Sequence, residues 1–291
     1  MFCVPWSAAP TLAQPMLESL CRFGRVVATA LAFTTFGLGG LLMRLICFPI
    51  LSLVVREQTR RERTARLLIH YSFQCFIGLM RLLGLITYEI HGRQRLARDG
   101  LLILANHPTL IDVVFLISLV RNANCVVKSA LARNPFTHGP VRATGYIFND
   151  QGAGLVEDCI RSLSQGNSLI VFPEGTRTCP GEALKMQRGA ANIALRGASN
   201  ITPVTIRCVP LGLSKGMAWW KVADRALHFT ITIGPDIAVQ NFVDEAGGET
   251  AVAARNLTQY LVDYFSTKAD NGLSPHPDLI SKNKGVARQN P

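Results

Sequence analysis

A chain of 291 residues is long enough for one sizeable core, or one core with a small appendage. Apolar residues make up 48% and charged residues only 17%, which is greasy for a soluble domain and directs attention to membrane-seeking segments. The net charge of +11 fits nucleic acid or anionic lipid headgroups, and two features favour lipid: the apolar composition, and the absence of a basic stripe interleaved with aromatics.

Residues 26–43 run for eighteen positions without a charge; Arg44 interrupts, and an apolar run carrying Pro49 continues to residue 55. The first run alone is at the lower limit for a span, which needs about 20 residues. Arg22 and Arg25 precede the pair, and Arg56, Arg60, Arg61, Arg63 and Arg66 follow it. Positive charge on both flanks predicts a hairpin or re-entrant pair with both ends facing the cytoplasm, in competition with one long tilted span. Residues 67–87 are apolar but broken by His70, Gln74 and Arg81, spaced to share one stripe of a helix. An amphipathic helix at the membrane interface and a core helix with a polar edge both fit that stripe.

From residue 88 the pattern changes to short β-branched runs: TYEIHG, LLILAN, ANCVVK, GYIFN, NSLIVFPEG, ITPVTIRC and LHFTITIG. Helical stretches at 109–120, 154–165 and 185–196 separate several of them. This alternation predicts an α/β fold, a single mostly parallel sheet layered with helices and preceded by an N-terminal membrane-embedded helical segment. The expected division is a membrane anchor with amphipathic helices over 1–87, an α/β domain over 88–267 and a disordered tail rich in Pro, Asn, Gly and Lys over 268–291. Eight cysteines, at 3, 21, 47, 75, 125, 159, 179 and 208, form no C-x-x-C pair; they read as scattered reduced thiols, not as a disulfide framework or a zinc site.

Two strand ends carry candidate chemistry. In LLILANHPTLID the buried run Leu101–Ala105 gives way to Asn106, His107 and Pro108, with Asp112 five residues after the histidine. Proline is favoured at the first position of a helix, so the helix is expected to begin at Pro108, with His107 at the strand-to-helix corner. Open α/β sheets bind ligands at that edge. A carboxylate that accepts from one ring nitrogen leaves the other free as a base. The competing structural role is a capping histidine with an aspartate that complements the helix dipole. In NSLIVFPEGTRT a second buried strand ends in a polar corner, where Gly175 allows a turn and Arg177 offers a planar fork suited to phosphate. Lys185 and Arg188 lie downstream.

NHPTLID resembles the H-x-x-x-x-D motif of the glycerolipid acyltransferases, the family of 1-acylglycerol-3-phosphate acyltransferases, and FPEGTR is identical to that family's third motif. GYIFND at 145–150, ITPVTI at 201–206 and KSALARNPFTHG at 128–139 resemble further blocks, in the family's order, so that the resemblance covers about 88–235. It implies transfer of a fatty acyl chain from a thioester, acyl carrier protein or coenzyme A, to a glycerolipid hydroxyl. His107 is then the general base and Asp112 its orienting partner; Glu174, Gly175, Thr176 and Arg177 bind the acceptor's phosphate and glycerol region. One departure concerns the second motif, in which an arginine usually follows the aspartate; Gln151 follows Asp150 here. Lys128 and Arg142 are the expected substitutes, and the identity of the acceptor lipid stays open.

The resemblance also implies a bacterial-type inner-membrane location with the catalytic domain on the cytoplasmic side. The expected mechanism has His107 take the proton of the lipid hydroxyl as it attacks the thioester, with oxyanion donors supplied by backbone N–H groups near the strand corners. It needs no covalent acyl-enzyme, no metal and no cofactor beyond the thioester co-substrate, and no nucleic-acid partner. A non-catalytic, membrane-associated binding or scaffold protein with the same fold is the competing reading, which loss of His107, Asp112 or Arg177 would favour.

Overall fold

In the computed structural model, which describes residues 13–149, 154–177, 184–218 and 221–270, each of the seven β-branched runs forms a strand. They are β1 (Ile86–His91), β2 (Leu102–Ala105), β3 (Ala123–Val127), β4 (Ile147–Phe148), β5 (Ser168–Val171), β6 (Ile201–Val209) and β7 (Leu227–Ile233). They make a single sheet in the order β1-β7-β6-β2-β5-β3-β4. The five strands from β6 to β4 are mutually parallel; β7 pairs antiparallel with β6 and parallel with β1. The sheet is thus mostly parallel, and its edge pair runs the other way.

β2 and β5 lie in the middle with helices on both faces, which is why all four residues of each are buried. Alternate residues feed two cores. Ile103, Ala105 and Ile170 pack with Phe115, Ile117, Phe229 and Ile231 on one side, beneath α3 (Gln58–Leu82) and α4 (Asp112–Leu119). Leu102, Leu104, Leu169 and Val171 pack on the other with α6 (Gly154–Ser164), α7 (Arg188–Arg196) and α9 (Thr250–Asp270). The tail expected at 268–291 lies outside the described residues from 271 onward, and α9 itself continues to Asp270.

The N-terminal segment departs from the expected arrangement. α1 (Ala13–Leu42) passes through a π-helical turn, Met43–Cys47, into α2 (Phe48–Val54) without reversing. Pro49 sits in the first turn of α2, where a missing N–H costs little, and the wider turn before it absorbs the ring. The reversal comes at residues 55–57, and α3 returns antiparallel: Phe36 stacks near Phe73 and Phe76, with ring centroids 5.9 and 5.0 Å apart. The hairpin is therefore made by the apolar rod and α3, not by the two halves of the apolar run. The arginine-rich stretch after residue 56 is good helix-forming sequence, and α3 starts at Gln58, nine residues before the expected boundary.

The polar stripe of α3 is settled by α4. His70 is buried with Nδ1 2.8 Å from the Ile117 carbonyl, and Gln74 Nε2 donates to the Ser118 carbonyl at 3.0 Å. These side chains satisfy carbonyls at the C-terminal end of α4, where a helix has no partners of its own. Arg81 stands over the Tyr88 ring at 5.5 Å. The stripe is a polar edge of a core helix.

Candidate active site

β2 and β5 are adjacent and parallel, with Leu104 beside Val171, so the two polar corners that follow them meet at one edge of the sheet. α4 begins at Asp112, not at Pro108. The reason is Asp112 itself. Its carboxylate accepts from the Thr109 N–H at 2.6 Å and the Thr109 hydroxyl at 2.5 Å, closing a tight turn that holds residues 109–111 out of the helix.

Within that turn His107 Nδ1 lies 2.9 Å from Asp112 Oδ2. Asp112 is fully buried, while the His107 side chain is 19% exposed. Burial pushes the Asp112 carboxyl above the usual carboxylate range, and the hydrogen bonds from His107 and Thr109 pull the other way. The bond to a buried carboxylate places the proton on Nδ1 and leaves Nε2 with a lone pair. Phe172 stacks on the imidazole at 4.3 Å with an interplanar angle of 27°, which fixes the ring plane. The His107 N–H donates to Glu174 Oε1 at 2.9 Å. Asn106 clips the corner to β6, donating to the Ile206 carbonyl at 2.8 Å and accepting from the Ile206 N–H at 2.7 Å.

Glu174 is buried beneath this corner, its Oε1 accepting the His107 N–H. Gly175 is exposed at φ 68°, the left-handed conformation this turn requires, and Thr176 is exposed beside it. Arg177 is half-buried; its Nη1 donates to the carbonyls of Leu213 at 3.0 Å and Ser214 at 3.3 Å. Its Nε and Nη2 have no hydrogen-bond partner among the described residues, and the bonds from Nη1 orient the guanidinium. Leu213 also accepts from the Leu110 N–H at 3.0 Å, so one carbonyl ties the arginine to the histidine's turn.

Lys128 is exposed at the carboxyl end of β3, on the same edge two strands from β2. Arg142 is placed otherwise. It is exposed on α5 (His138–Ala143), two residues before Thr144. The Thr144 carbonyl accepts from Arg66, which also donates to Asn122 and Asn167 at the amino ends of β3 and β5. Arg142 thus lies toward the opposite edge, because the chain has already crossed the sheet to enter β4. Lys185 and Arg188 are exposed around the start of α7. His138 Nδ1 faces the Ala132 carbonyl within its own loop. Gln151 and Asp150 lie outside the described residues, as do Trp219 and Trp220.

The N–H groups of His107, Thr109, Leu110 and Gly175 are all engaged, by Glu174, Asp112, Leu213 and Phe172. No sequence signal pointed to Phe172 as the ring's stacking partner or to the Leu213 carbonyl. Thr109 could have been read from the T-x-x-D spacing of a side-chain-closed turn.

A family profile described as Acyltransferase matches residues 87–207. The chain is 27% identical over 263 residues to the 1-acyl-sn-glycerol-3-phosphate acyltransferase of Saccharomyces cerevisiae, covering 86% of this chain and 78% of the yeast protein. It is 28% identical over 176 residues to the protein of the same name from Helicobacter pylori, covering 58% and 71% of the two chains. The crystal structure of the 1-acyl-sn-glycerophosphate (LPA) acyltransferase PlsC from Thermotoga maritima superposes with a TM-score of 0.62 at 18% identity. That match spans 86% of this chain and 98% of the other, a likeness of fold.

Proposed function

Because the chain belongs to the glycerolipid acyltransferase family and is an acyltransferase, we propose that it moves a fatty acyl chain from an acyl carrier protein or coenzyme A thioester to the hydroxyl of a lysophospholipid-type acceptor, 1-acylglycerol-3-phosphate or a related lysolipid. The observation that carries this reading is His107. Its Nδ1 is held by a buried carboxylate at 2.9 Å, and its Nε2 has no partner among the described residues. A lipid hydroxyl is a poor nucleophile at neutral pH. Nε2 takes its proton as the oxygen attacks the thioester carbonyl, Asp112 stabilises the imidazolium, and the same proton then passes to the departing thiolate. The acceptor is itself the nucleophile, so the protein needs no serine or cysteine of its own. Arg177, held from behind by Leu213 and Ser214, receives the acceptor's phosphate, and Lys128 adds positive potential on that edge.

The apolar rod would bring this site to the bilayer. Cys21–Val54 is a helix long and apolar enough to cross a membrane. Yet Arg25 bonds Ala223, and Arg44 bonds Pro135, so the domain holds the rod at points 19 residues apart, roughly 28 Å along a helix. The opposite face exposes Phe23, Val27, Leu31, Leu38, Leu42, Leu45, Ile46, Ile50, Leu53 and Val54, one stripe at helical spacing. A rod with protein along one face and an apolar stripe along the other suits the plane of the interface better than a passage through the bilayer. A bacterial-type inner membrane, with the site on the cytoplasmic side, is the proposed setting.

The test is acyl transfer by the purified protein from labelled acyl carrier protein and coenzyme A thioesters to a panel of lysolipids with and without a phosphate. Transfer to 1-acylglycerol-3-phosphate is expected, and His107→Ala should reduce it by roughly 10²–10⁴, the worth of a positioned general base. Near-normal transfer by His107→Ala would refute the mechanism, and activity on phosphate-free acceptors alone would remove lysophosphatidic acid as the substrate.

A further inference from the structure

Among the described residues two non-glycines hold a left-handed backbone, Ala198 at φ 45° and Leu213 at φ 55°. Ala198 follows the end of α7, where such a residue is common, and its N–H returns to the Leu195 carbonyl. Leu213 ends no helix. It stands in the loop between β6 and β7, in a conformation that glycine would adopt at less cost. Backbone held against its preference persists where the structure around it fixes it, and it clusters at working sites.

Two contacts fix this one. Gly212 lies against the start of β7, where a Cβ would stand 2.8 Å from Leu227 Cδ2. The Leu213 side chain packs on the core beneath α3 and α4. With Gly212 seated there, a relaxed negative φ would swing that side chain out of the core and its carbonyl off its donors. The carbonyl uses both lone pairs: it accepts from Arg177 Nη1 at 3.0 Å and from the Leu110 N–H at 3.0 Å. Leu110 belongs to the turn that Asp112 closes, and Asp112 holds the His107 ring. The corner after β2, the corner after β5 and the β6–β7 loop therefore meet on one oxygen.

The phosphate and the reacting hydroxyl of a 1-acylglycerol-3-phosphate sit on neighbouring carbons. Arg177 and His107 must engage them together, and a misplacement of about 1 Å can cost 10²-fold in rate. We propose that Leu213 is a positioning residue for acyl transfer. Its carbonyl sets the spacing between the arginine that receives the acceptor's phosphate and the turn that carries the base, and its buried side chain keeps that carbonyl in place. This rests on the acyl-transfer reading.

Leu213→Gly keeps the left-handed φ accessible and removes the anchor. In the purified protein it should raise the acceptor KM and lower kcat, each by roughly tenfold, with the thioester KM unmoved. Leu213→Met restores an apolar side chain of similar volume and should recover most of both losses. Parent-like kinetics in Leu213→Gly overturn the proposal, and so does a thioester KM that rises in step with the acceptor KM.

A double-mutant cycle separates positioning from a merely structural role. Arg177→Ala alone should raise the acceptor KM. Adding Leu213→Gly should raise it no further, because the arginine through which Leu213 acts is gone, while kcat still falls through the Leu110 tether. An acceptor KM that rises by the product of the two single effects refutes the coupling. If Leu213→Gly does not fold by circular dichroism, Leu213→Asn takes its place with the same expectations, since asparagine also tolerates this conformation. The two readings fail separately: near-normal transfer by His107→Ala removes the catalytic assignment, while the cycle decides the role of Leu213.

Discussion

The orientation of the His107 ring depends on one fully buried oxygen. Asp112 Oδ2 receives both the imidazole at 2.9 Å and the Thr109 N–H at 2.6 Å, so one atom sets the ring's tautomer and the shape of the turn that carries it. Asp112→Asn keeps the size, removes the charge and places an amide against a turn built around a carboxylate. It should lower kcat by roughly 10²–10⁴ and stability by about 1–3 kcal/mol, with the acceptor KM little changed. Steady-state kinetics and a denaturation curve read both effects, and an unchanged kcat would show that the carboxylate is only structural. At the same scale, burial pushes the Cys125, Cys159 and Cys208 thiols up to about 12. The thiolate is the reactive form, and a raised value means almost none of it near neutral pH. A maleimide at pH 8 should label the exposed Cys21 and Cys75 in detergent and leave those three untouched until the protein is unfolded. Labelling of any of the three in the folded protein would reopen a cysteine nucleophile.

At the scale of elements, α1, the π turn and α2 act as one rod because the domain grips it in several places. Gly40 and Gly139 permit the approach: a Cβ on Gly40 would meet the Phe136 carbonyl, and one on Gly139 would lie 2.6 Å from Arg44 Cβ. The charge at Arg44, which interrupts the apolar run, is spent on the Pro135 carbonyl at 3.0 Å. If the rod lies in the interface, its two ends stay on one side of the bilayer. Single cysteines in place of Arg22 and of Arg56, in a chain cleared of other exposed thiols, should both react with a membrane-impermeant reagent from the same side of sealed vesicles. Reaction from opposite sides would show that the rod crosses the membrane.

At the scale of the whole molecule, the two edges of the sheet are divided between work and cohesion. The carboxyl edge holds His107, Glu174, Arg177 and Lys128. At the amino edge the buried Arg66 donates from α3 to Thr144 at 2.9 Å, Asn122 at 3.2 Å and Asn167 at 2.8 Å, tying the helical hairpin to β3, β5 and the approach to β4. Glu62, at 3.4 Å, is the counter-charge. Arg66→Ala leaves those buried oxygens without their donor and should destabilise the protein by about 3 kcal/mol or more. Thermal or urea unfolding measures it, and a loss well under 1 kcal/mol would mean that water replaces the guanidinium at little cost. At a temperature where Arg66→Ala remains folded, acyl transfer should persist, since the opposite edge is intact.

The strands and the contact between His107 and Asp112 were legible without coordinates because they are written locally. Short apolar, β-branched runs mark β1 to β7, and five residues of spacing suffice for Asp112 to reach His107. The F-P-E-G-T-R block was legible as a corner, but not as the neighbour of the first. Only the pairing of β2 with β5 brings Glu174 under the His107 backbone, 67 residues away in sequence. The bond from Arg177 to Leu213 spans 36 residues, and the bond from Arg66 to Asn167 spans 101; composition and periodicity carry no trace of either. The same holds for the hairpin turn at 55–57, for the start of α4 at Asp112 and for the displacement of Arg142 toward the far edge. Each was decided by which polar groups had to find partners once the sheet had closed, a condition on the whole packed chain and not on any window of it.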